Sequence, residues 1–138
     1  MRRIRILAVA GVALLAACSG LMSDPEPNVV YQADRQAYTP QDSIVTSLVN
    51  TSDAEVGYNL CLTALEKRTS GGWTRVARNP EQPCILPLYI LRPGESATYR
   101  EAASRLPGPG IYRLRTAVET PVPGPQRDVV TDPFILEQ

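Results

Sequence analysis

Residues 111–119 read Ile-Tyr-Arg-Leu-Arg-Thr-Ala-Val-Glu, and this stretch decides the fold class. Side chains two residues apart share one face of an extended strand. One face of this strand carries uncharged residues: Tyr112, Leu114, Thr116 and Val118. The other face carries the charged residues Arg113, Arg115 and Glu119. This alternation is typical of a β-strand with one buried face and one face in water.

The same two-residue period recurs along the chain, with turn residues between the segments. It predicts further strands over residues 29–33, 43–49, 56–67, 73–78, 84–91, 96–100 and 129–136. No long segment has apolar residues at helical spacing. We therefore expect an all-β protein, an antiparallel β-sandwich of seven or eight short strands.

Some segments carry finer predictions. In 56–67, Val56, Tyr58, Leu60 and Leu62 alternate, and the phase then slips at Leu65, which predicts a bulge near Thr63 and Ala64. Pro87 lacks a backbone donor, so segment 84–91 is expected to be an edge strand or an extended connection. Residues 38–42 and 69–72 favour turns and residues 102–106 a short helical turn, and Asp132-Pro133 is expected to break the last strand.

Four short motifs between Tyr38 and Leu136 carry a family likeness. They are Asp42-x-Ile44-x-Thr46-x-Leu48-x-Asn50, Leu65-Glu66 before a short turn and Trp73-x-x-Val76, Leu91-x-Pro93-Gly94-Glu95-Ser96, and Pro109-Gly110-x-Tyr112-Arg113-Leu114. These motifs resemble those of bacterial immunoglobulin-like domains. The resemblance implies an immunoglobulin-like sandwich over residues 29–138, with Tyr112 as a tyrosine corner whose hydroxyl bonds to nearby backbone. It implies no ligand, because fold alone does not give function.

The start of the chain has the three parts of a secretory signal: basic residues at 2, 3 and 5, an apolar run over 6–14, and small residues before Cys18. The motif Leu15-Ala16-Ala17-Cys18 resembles the lipobox of bacterial lipoproteins, in which the cysteine is diacylated and becomes the mature N-terminus. We therefore expect a lipoprotein signal peptide over 1–17 and a lipidated Cys18 with a flexible tether over 18–28. Ser19 stands where Asp is associated with inner-membrane retention, so the resemblance favours lipid anchoring at the outer membrane of a bacterial cell envelope.

Composition excludes several function classes. Without residues 1–17 the chain has 11 basic and 14 acidic residues, a net charge of −3, so no basic face for nucleic acid is expected. The sequence contains no histidine, which rules out a Ser-His-Asp triad and removes the commonest metal ligand. We predict no catalytic residue, no cofactor and no metal site.

Cys61 and Cys84 are the two cysteines that remain once Cys18 is acylated. In an exported protein an even pair is typical of a disulfide. The alternatives are a redox pair or a metal site, but the sequence has no Cys-x-x-Cys motif and too few further ligands for zinc. We predict a Cys61–Cys84 disulfide that holds the proline-containing segment 84–91.

Other candidate surfaces have a plainer structural interpretation. Arg113 and Arg115 are expected on the polar face of their strand, with a cationic stripe for an acidic partner as the alternative. Glu66 and Glu95 are the carboxylates next to apolar sequence, and we expect both to be solvated rather than catalytic. Trp73, Tyr58 and Tyr89 could form an exposed aromatic patch for sugar or peptide. Core packing is expected instead for Trp73 and Tyr58, whereas the sequence does not decide between the two positions for Tyr89.

Two functions fit these predictions. The first is a non-catalytic binding or structural module, held at the membrane by its lipid and contacting an unidentified envelope protein. The alternative is a peptidase inhibitor, since some bacterial proteinase inhibitors have a related sandwich. In that case the proline-rich loop 121–125, with Val122, Pro123 and Gly124 at its centre, would enter a protease cleft as a rigid, pre-organised segment.

Overall fold

The computed structural model describes residues 28–78, 83–85 and 87–138. These residues form eleven β-strands: β1 Val29–Ala33, β2 Ala37–Tyr38, β3 Ser43–Asn50, β4 Val56–Tyr58, β5 Ala64–Thr69, β6 Gly72–Val76, β7 Tyr89–Leu91, β8 Ser96–Ala102, β9 Gly110–Glu119, β10 Gln126–Val130 and β11 Phe134–Leu136. Two 3₁₀ turns, Leu60–Leu62 and Ala103–Arg105, complete them. The predicted signal peptide and Cys18 lie outside the described residues. In the part that is described, no helix is long and apolar enough to cross a membrane.

The strands form two sheets around one core. The first sheet has the order β1-β3-β8, and all its pairs are antiparallel. The second runs β2-β11-β9-β4-β7, with β10 and β5 also on β9 and β6 on β5. Its pairs are antiparallel except for β2 with β11. The predicted immunoglobulin-like β-sandwich is confirmed, but the described residues form eleven strands rather than seven or eight, because two predicted strands are each split in two and β2 was not predicted.

Strand β9 is the centre of the second sheet. On one side it pairs first with β4 and then with β5, and on the other with β10 and then β11. The predicted strands 56–67 and 129–136 therefore follow opposite edges of β9, each as two pieces. The break at Asp132-Pro133 lies where it was predicted, between β10 and β11.

The interruption in 56–67 is larger than the predicted bulge. A 3₁₀ turn at Leu60–Leu62 separates β4 from β5, and the Asn59 side chain starts it by accepting the Cys61 N–H at 3.0 Å. The turn breaks the two-residue period, so Leu60 is buried while Leu62 is 54% exposed. The prediction that these two leucines share one face is wrong.

Four further boundaries differ from the sequence prediction. Tyr38 is not in a turn but in the two-residue strand β2, where its buried hydroxyl donates to Asp34 at 2.6 Å. The predicted strand 73–78 occupies Gly72–Val76, and 96–100 continues to Ala102. Segment 84–91 is a strand only at β7, which lies at the edge of its sheet as predicted. The predicted helical turn is confirmed at Ala103–Arg105.

The predicted inward face of β9 lies in the core, where no side chain of this face is more than 2% exposed: Tyr112, Leu114, Thr116 and Val118. The face of β3 agrees as well, with Ile44, Thr46 and Leu48 all buried. The Tyr112 hydroxyl donates to the Gly108 carbonyl at 2.5 Å, as the tyrosine-corner likeness implies. This bond joins the loop before β9 to the core of the sandwich.

Truncating this face should destabilise the protein. Leu114→Ala removes a fully buried side chain, so we expect it to lower the free energy of unfolding by about 2–5 kcal/mol. Ile111→Ala on the same strand is the matched control, because Ile111 points outward and should cost below about 1 kcal/mol. Urea unfolding of both variants measures the difference, and equal losses would contradict the assigned orientation of β9.

Candidate functional site

Cys61 and Cys84 form the predicted disulfide. Their Cα atoms lie 5.7 Å apart, within the usual range for a disulfide. The bond joins the Leu60–Leu62 turn to the segment before β7. Next to it, the Asn59 amide donates to the carbonyls of Ile85 and Pro87, each at 3.0 Å. The disulfide and the Asn59 side chain therefore hold residues 84, 85, 87 and 88, none of which belongs to a strand.

The predicted binding loop lies at one end of the sandwich, between β9 and β10. Pro123 and Gly124 are exposed, and Val122 is half-buried. The Glu119 carboxylate accepts the Gly124 N–H at 2.8 Å, and Glu119 pairs with Gln126 where the loop closes. The loop is thus fixed at its base and presents its tip to solvent.

The two outward arginines of β9 do not form a free cationic stripe. Glu66 accepts from Arg113 Nε at 2.5 Å and from Arg115 Nε at 2.8 Å. Arg115 also donates to Asp128 at 3.0 Å. Strand register brings these groups together, because Glu66 lies directly opposite Arg113. The charges of this face are therefore largely satisfied within the domain.

Trp73 lies on this outer face rather than in the core, so the core prediction for Trp73 is wrong. It sits opposite Arg68 in the β5–β6 hairpin, and the Arg113 and Arg68 guanidinium carbons lie 4.4 and 5.4 Å from its ring centre. Cations stacked on an indole are favourable at a partly exposed site. Tyr58, in contrast, does pack against the core.

A groove opens along one side of the sandwich, between β8 and the Leu60–Leu62 turn. We call it the lateral groove. It consists of two cavities of about 510 and 250 Å³ that share Leu60, Cys61 and Tyr99. The larger cavity contains the arginines Arg75, Arg78 and Arg105. The smaller contains the tyrosines Tyr58, Tyr89 and Tyr99, with Tyr89 46% exposed.

Arg78 lies on one wall of the larger cavity and forms a buried ion pair behind it. Arg78 donates to Glu101 through Nε at 2.6 Å and through Nη2 at 3.2 Å, and to the Thr63 carbonyl at 2.9 Å. The Glu101 side chain is 1% exposed. Since Glu101 is on β8 and Thr63 lies before β5, the pair connects the two sheets across the groove.

Sequence reasoning missed this pair, although a signal was present. The predicted strand ended at residue 100, one position short of Glu101. Ala97 and Tyr99, at alternate positions of this strand, pack against the core, and Glu101 continues the same phase. A charged residue at an inward position indicates a buried partner. The partner, Arg78, could not be named from the sequence, because it follows the β5–β6 hairpin and is distant from Glu101 along the chain.

In the described part of the chain, neither the groove nor the outer face has the ligands of a metal site. Across residues 28–78, 83–85 and 87–138, no cluster of three or more acidic, cysteine or histidine side chains could hold a metal ion. Glu95, the second carboxylate singled out by its sequence context, accepts the Arg92 N–H at 2.8 Å in a surface turn. Its position is structural.

No protein-family model and no curated protein matches the sequence. Among solved structures, the Salmonella enterica SafA pilin in complex with the SafB chaperone is 12% identical, with a TM-score of 0.50, over 79% of this chain and 53% of that chain. The alkylpurine DNA glycosylase AlkC of Pseudomonas fluorescens is 12% identical, with a TM-score of 0.40, over 80% and 31%. A β-glucosidase from Listeria innocua is 11% identical, with a TM-score of 0.39, over 80% and 16%. This chain thus spans about half the length of the first and a third or less of the others. At this identity the pilin–chaperone likeness shows the fold alone.

The Glu66 network makes stability depend on pH. Burial by itself would raise the pKa of Glu66, but the hydrogen bonds from Arg113 and Arg115 outweigh it and hold the pKa below its ordinary value of 4.5. A carboxyl with a lower pKa in the folded state stabilises the fold above its unfolded pKa. That contribution disappears as the pH falls through the folded pKa.

Glu66→Gln should therefore lower the free energy of unfolding at pH 7, and the deficit should shrink as the pH falls below about 4. Glu55→Gln is the matched control, because Glu55 is exposed and its replacement should have little effect at any pH. Urea unfolding from pH 7 to pH 3 measures both variants. A Glu66→Gln deficit that stays constant across this range would contradict the account of the network.

Proposed function

We propose that this protein is a lipid-anchored module of a bacterial cell envelope that binds another protein and catalyses no reaction. The observation that carries the proposal is the lateral groove, where three tyrosines and three arginines surround open space. Tyrosine and arginine are enriched in the residues that dominate binding energy at protein interfaces. The absence of histidine from the sequence agrees with a binding role, because the commonest general base is missing.

The anchor follows from the lipobox. Acyl chains on Cys18 would hold the mature chain at the membrane, and two or more chains make a stable anchor. Residues 19–28 contain small residues and two prolines, and ten extended residues span up to about 33 Å. The domain, whose first strand begins at Val29, could then reach partners beyond the lipid surface. Ser19 after the cysteine favours the outer membrane.

The peptidase-inhibitor alternative depends on the loop at Val122, Pro123 and Gly124. Its fixed base and exposed tip are what a pre-organised inhibitory loop needs. This surface lies on the β9–β10 connection, whereas the lateral groove lies between β8 and the turn before β5. A cross-linker placed on each surface therefore separates the two functions.

The test replaces single residues that are exposed or half-buried with a photo-cross-linking amino acid in intact cells. The positions are Tyr89 in the groove, Val122 in the loop and Ile135 on the outer face as the control. We expect a discrete protein adduct from Tyr89 and none from Ile135. An adduct from Val122 alone would support the inhibitor, and no adduct from any position would contradict a binding function.

Cys18→Ser in the same cells tests the anchor. This variant should lose metabolic lipid labelling and accumulate as an uncleaved or soluble form, and the Tyr89 adduct should weaken if the partner is membrane-bound. Labelling equal to that of the wild type would contradict lipidation at Cys18.

A further inference from the structure

The outer edge of β8 has unpaired backbone groups. Antiparallel strands exchange backbone hydrogen bonds at alternate residue pairs. Here the Asn50 N–H donates to the backbone carbonyl of Glu95, and the Ala103 N–H to that of Asp42, each at 3.0 Å. In this register, residues 97, 99 and 101 of β8 bond to β3. The N–H and C=O groups of Thr98 and Arg100 must then point to the other side. β8 ends its sheet, so no strand of the described residues pairs with that side.

Among the described residues, this edge is neither short nor interrupted by proline. Exposed edges are commonly kept short, interrupted by proline or covered. Strand β7 has three residues and follows the disulfide-held segment with Pro87, and β1 lies against β10. β8 has seven residues, with neither proline nor glycine among them. It also forms one wall of the lateral groove, through Ala97, Thr98 and Tyr99.

The charge in front of this edge is positive. Of the three arginines around the larger cavity, Arg78 is neutralised by Glu101. Arg75 is exposed on β6 and forms no ion pair with any group of the described chain. No carboxylate belongs to the described lining of this cavity. Among the described residues, Arg75 thus places a positive charge at this cavity, in a mature chain whose net charge is −3, from 11 basic and 14 acidic residues.

We propose that the lateral groove binds an extended, acidic peptide segment of a protein partner, which adds as a strand to the free edge of β8. The segment exchanges backbone hydrogen bonds with Thr98 and Arg100. Its apolar side chains contact Tyr58 and Tyr89 at one end, and its carboxylates face Arg75 at the other. This inference rests on the proposed function and specifies its surface and ligand class.

An extended peptide fits these observations better than a small anion. The free edge presents donors and acceptors in alternation, which a second backbone satisfies in full. The tyrosines give side chains of the added strand an apolar surface, and the cation on β6 selects for negative charge. A phosphate or a lone carboxylate would use the arginines but leave the backbone groups and the tyrosines without contacts.

The probes are two fluorescein-labelled peptides of alternating threonine and valine, with a run of aspartates at either the N- or the C-terminal end. Matched peptides carry lysines in place of the aspartates. Binding to the full-length protein in detergent is followed by fluorescence anisotropy. We expect at least one aspartate peptide to bind, more weakly at high salt, and neither lysine peptide to bind measurably. Equal binding of acidic and basic peptides, or binding of neither, would overturn the proposal.

Two pairs of variants test the mode of binding. Thr98→Pro removes the outward N–H without breaking a bond to β3, and Thr98→Val keeps that N–H. Arg75→Glu reverses the groove charge, and Arg92→Glu makes the same change in an exposed turn outside the groove. Thr98→Pro should weaken binding about fivefold or more, the size of one lost hydrogen bond. Arg75→Glu should weaken it at low salt, and both controls should bind like the wild type.

These binding measurements can fail without contradicting the proposed binding function. Thermal melts confirm that each variant folds, and Arg75→Glu provides a second test if the proline variant does not. Loss of binding in Thr98→Pro and Arg75→Glu alone supports the proposal. If the peptide binds all four variants equally, the groove assignment is wrong, while a Tyr89 adduct in cells would still support a binding module.

Discussion

The structure depends on the complete burial of one face of β9. Because Tyr112 and Leu114 must lie between the sheets, Arg113 and Arg115 must lie outside, where Glu66 accepts from both. The strand also provides both edges on which the second sheet is built, with β4 and β5 on one side and β10 and β11 on the other. A change of register by one residue would bury two arginines and expose the core, so β9 has one acceptable position.

The groove lies where β8 ends the first sheet and faces the Leu60–Leu62 turn between β4 and β5 of the second. Arg78 and Glu101 connect its two sides, because Arg78 bonds both to Glu101 on β8 and to the Thr63 carbonyl before β5. A buried ion pair contributes little net stability, because removing charges from water is costly, but breaking one is destabilising. We infer that the pair fixes the spacing of the groove walls.

Local patterns in the sequence correctly predict those strands whose buried and exposed residues alternate regularly. The two-residue period places the buried faces of β3 and β9, and the turn residues place the β5–β6 hairpin. The period fails at Leu62 because Asn59 forms a side-chain bond that starts a 3₁₀ turn, and apolar spacing does not report such a bond. Trp73 was expected in the core, whereas stacking with two arginines holds it outside. The lateral groove depends on contacts between residues distant in sequence, such as Arg78 and Glu101, which no local pattern encodes.

Strand β8 forms backbone hydrogen bonds to β3 on one edge, and no strand of the described residues pairs with its other edge. Native-state amide hydrogen exchange tests this arrangement residue by residue on the protein without ligand. Amides of Ala97 and Tyr99, which face β3, should exchange at least about a hundredfold more slowly than those of Thr98 and Arg100 between and beyond them. Equal protection at all four positions would contradict the free edge, because some other part of the chain would then have to pair with it.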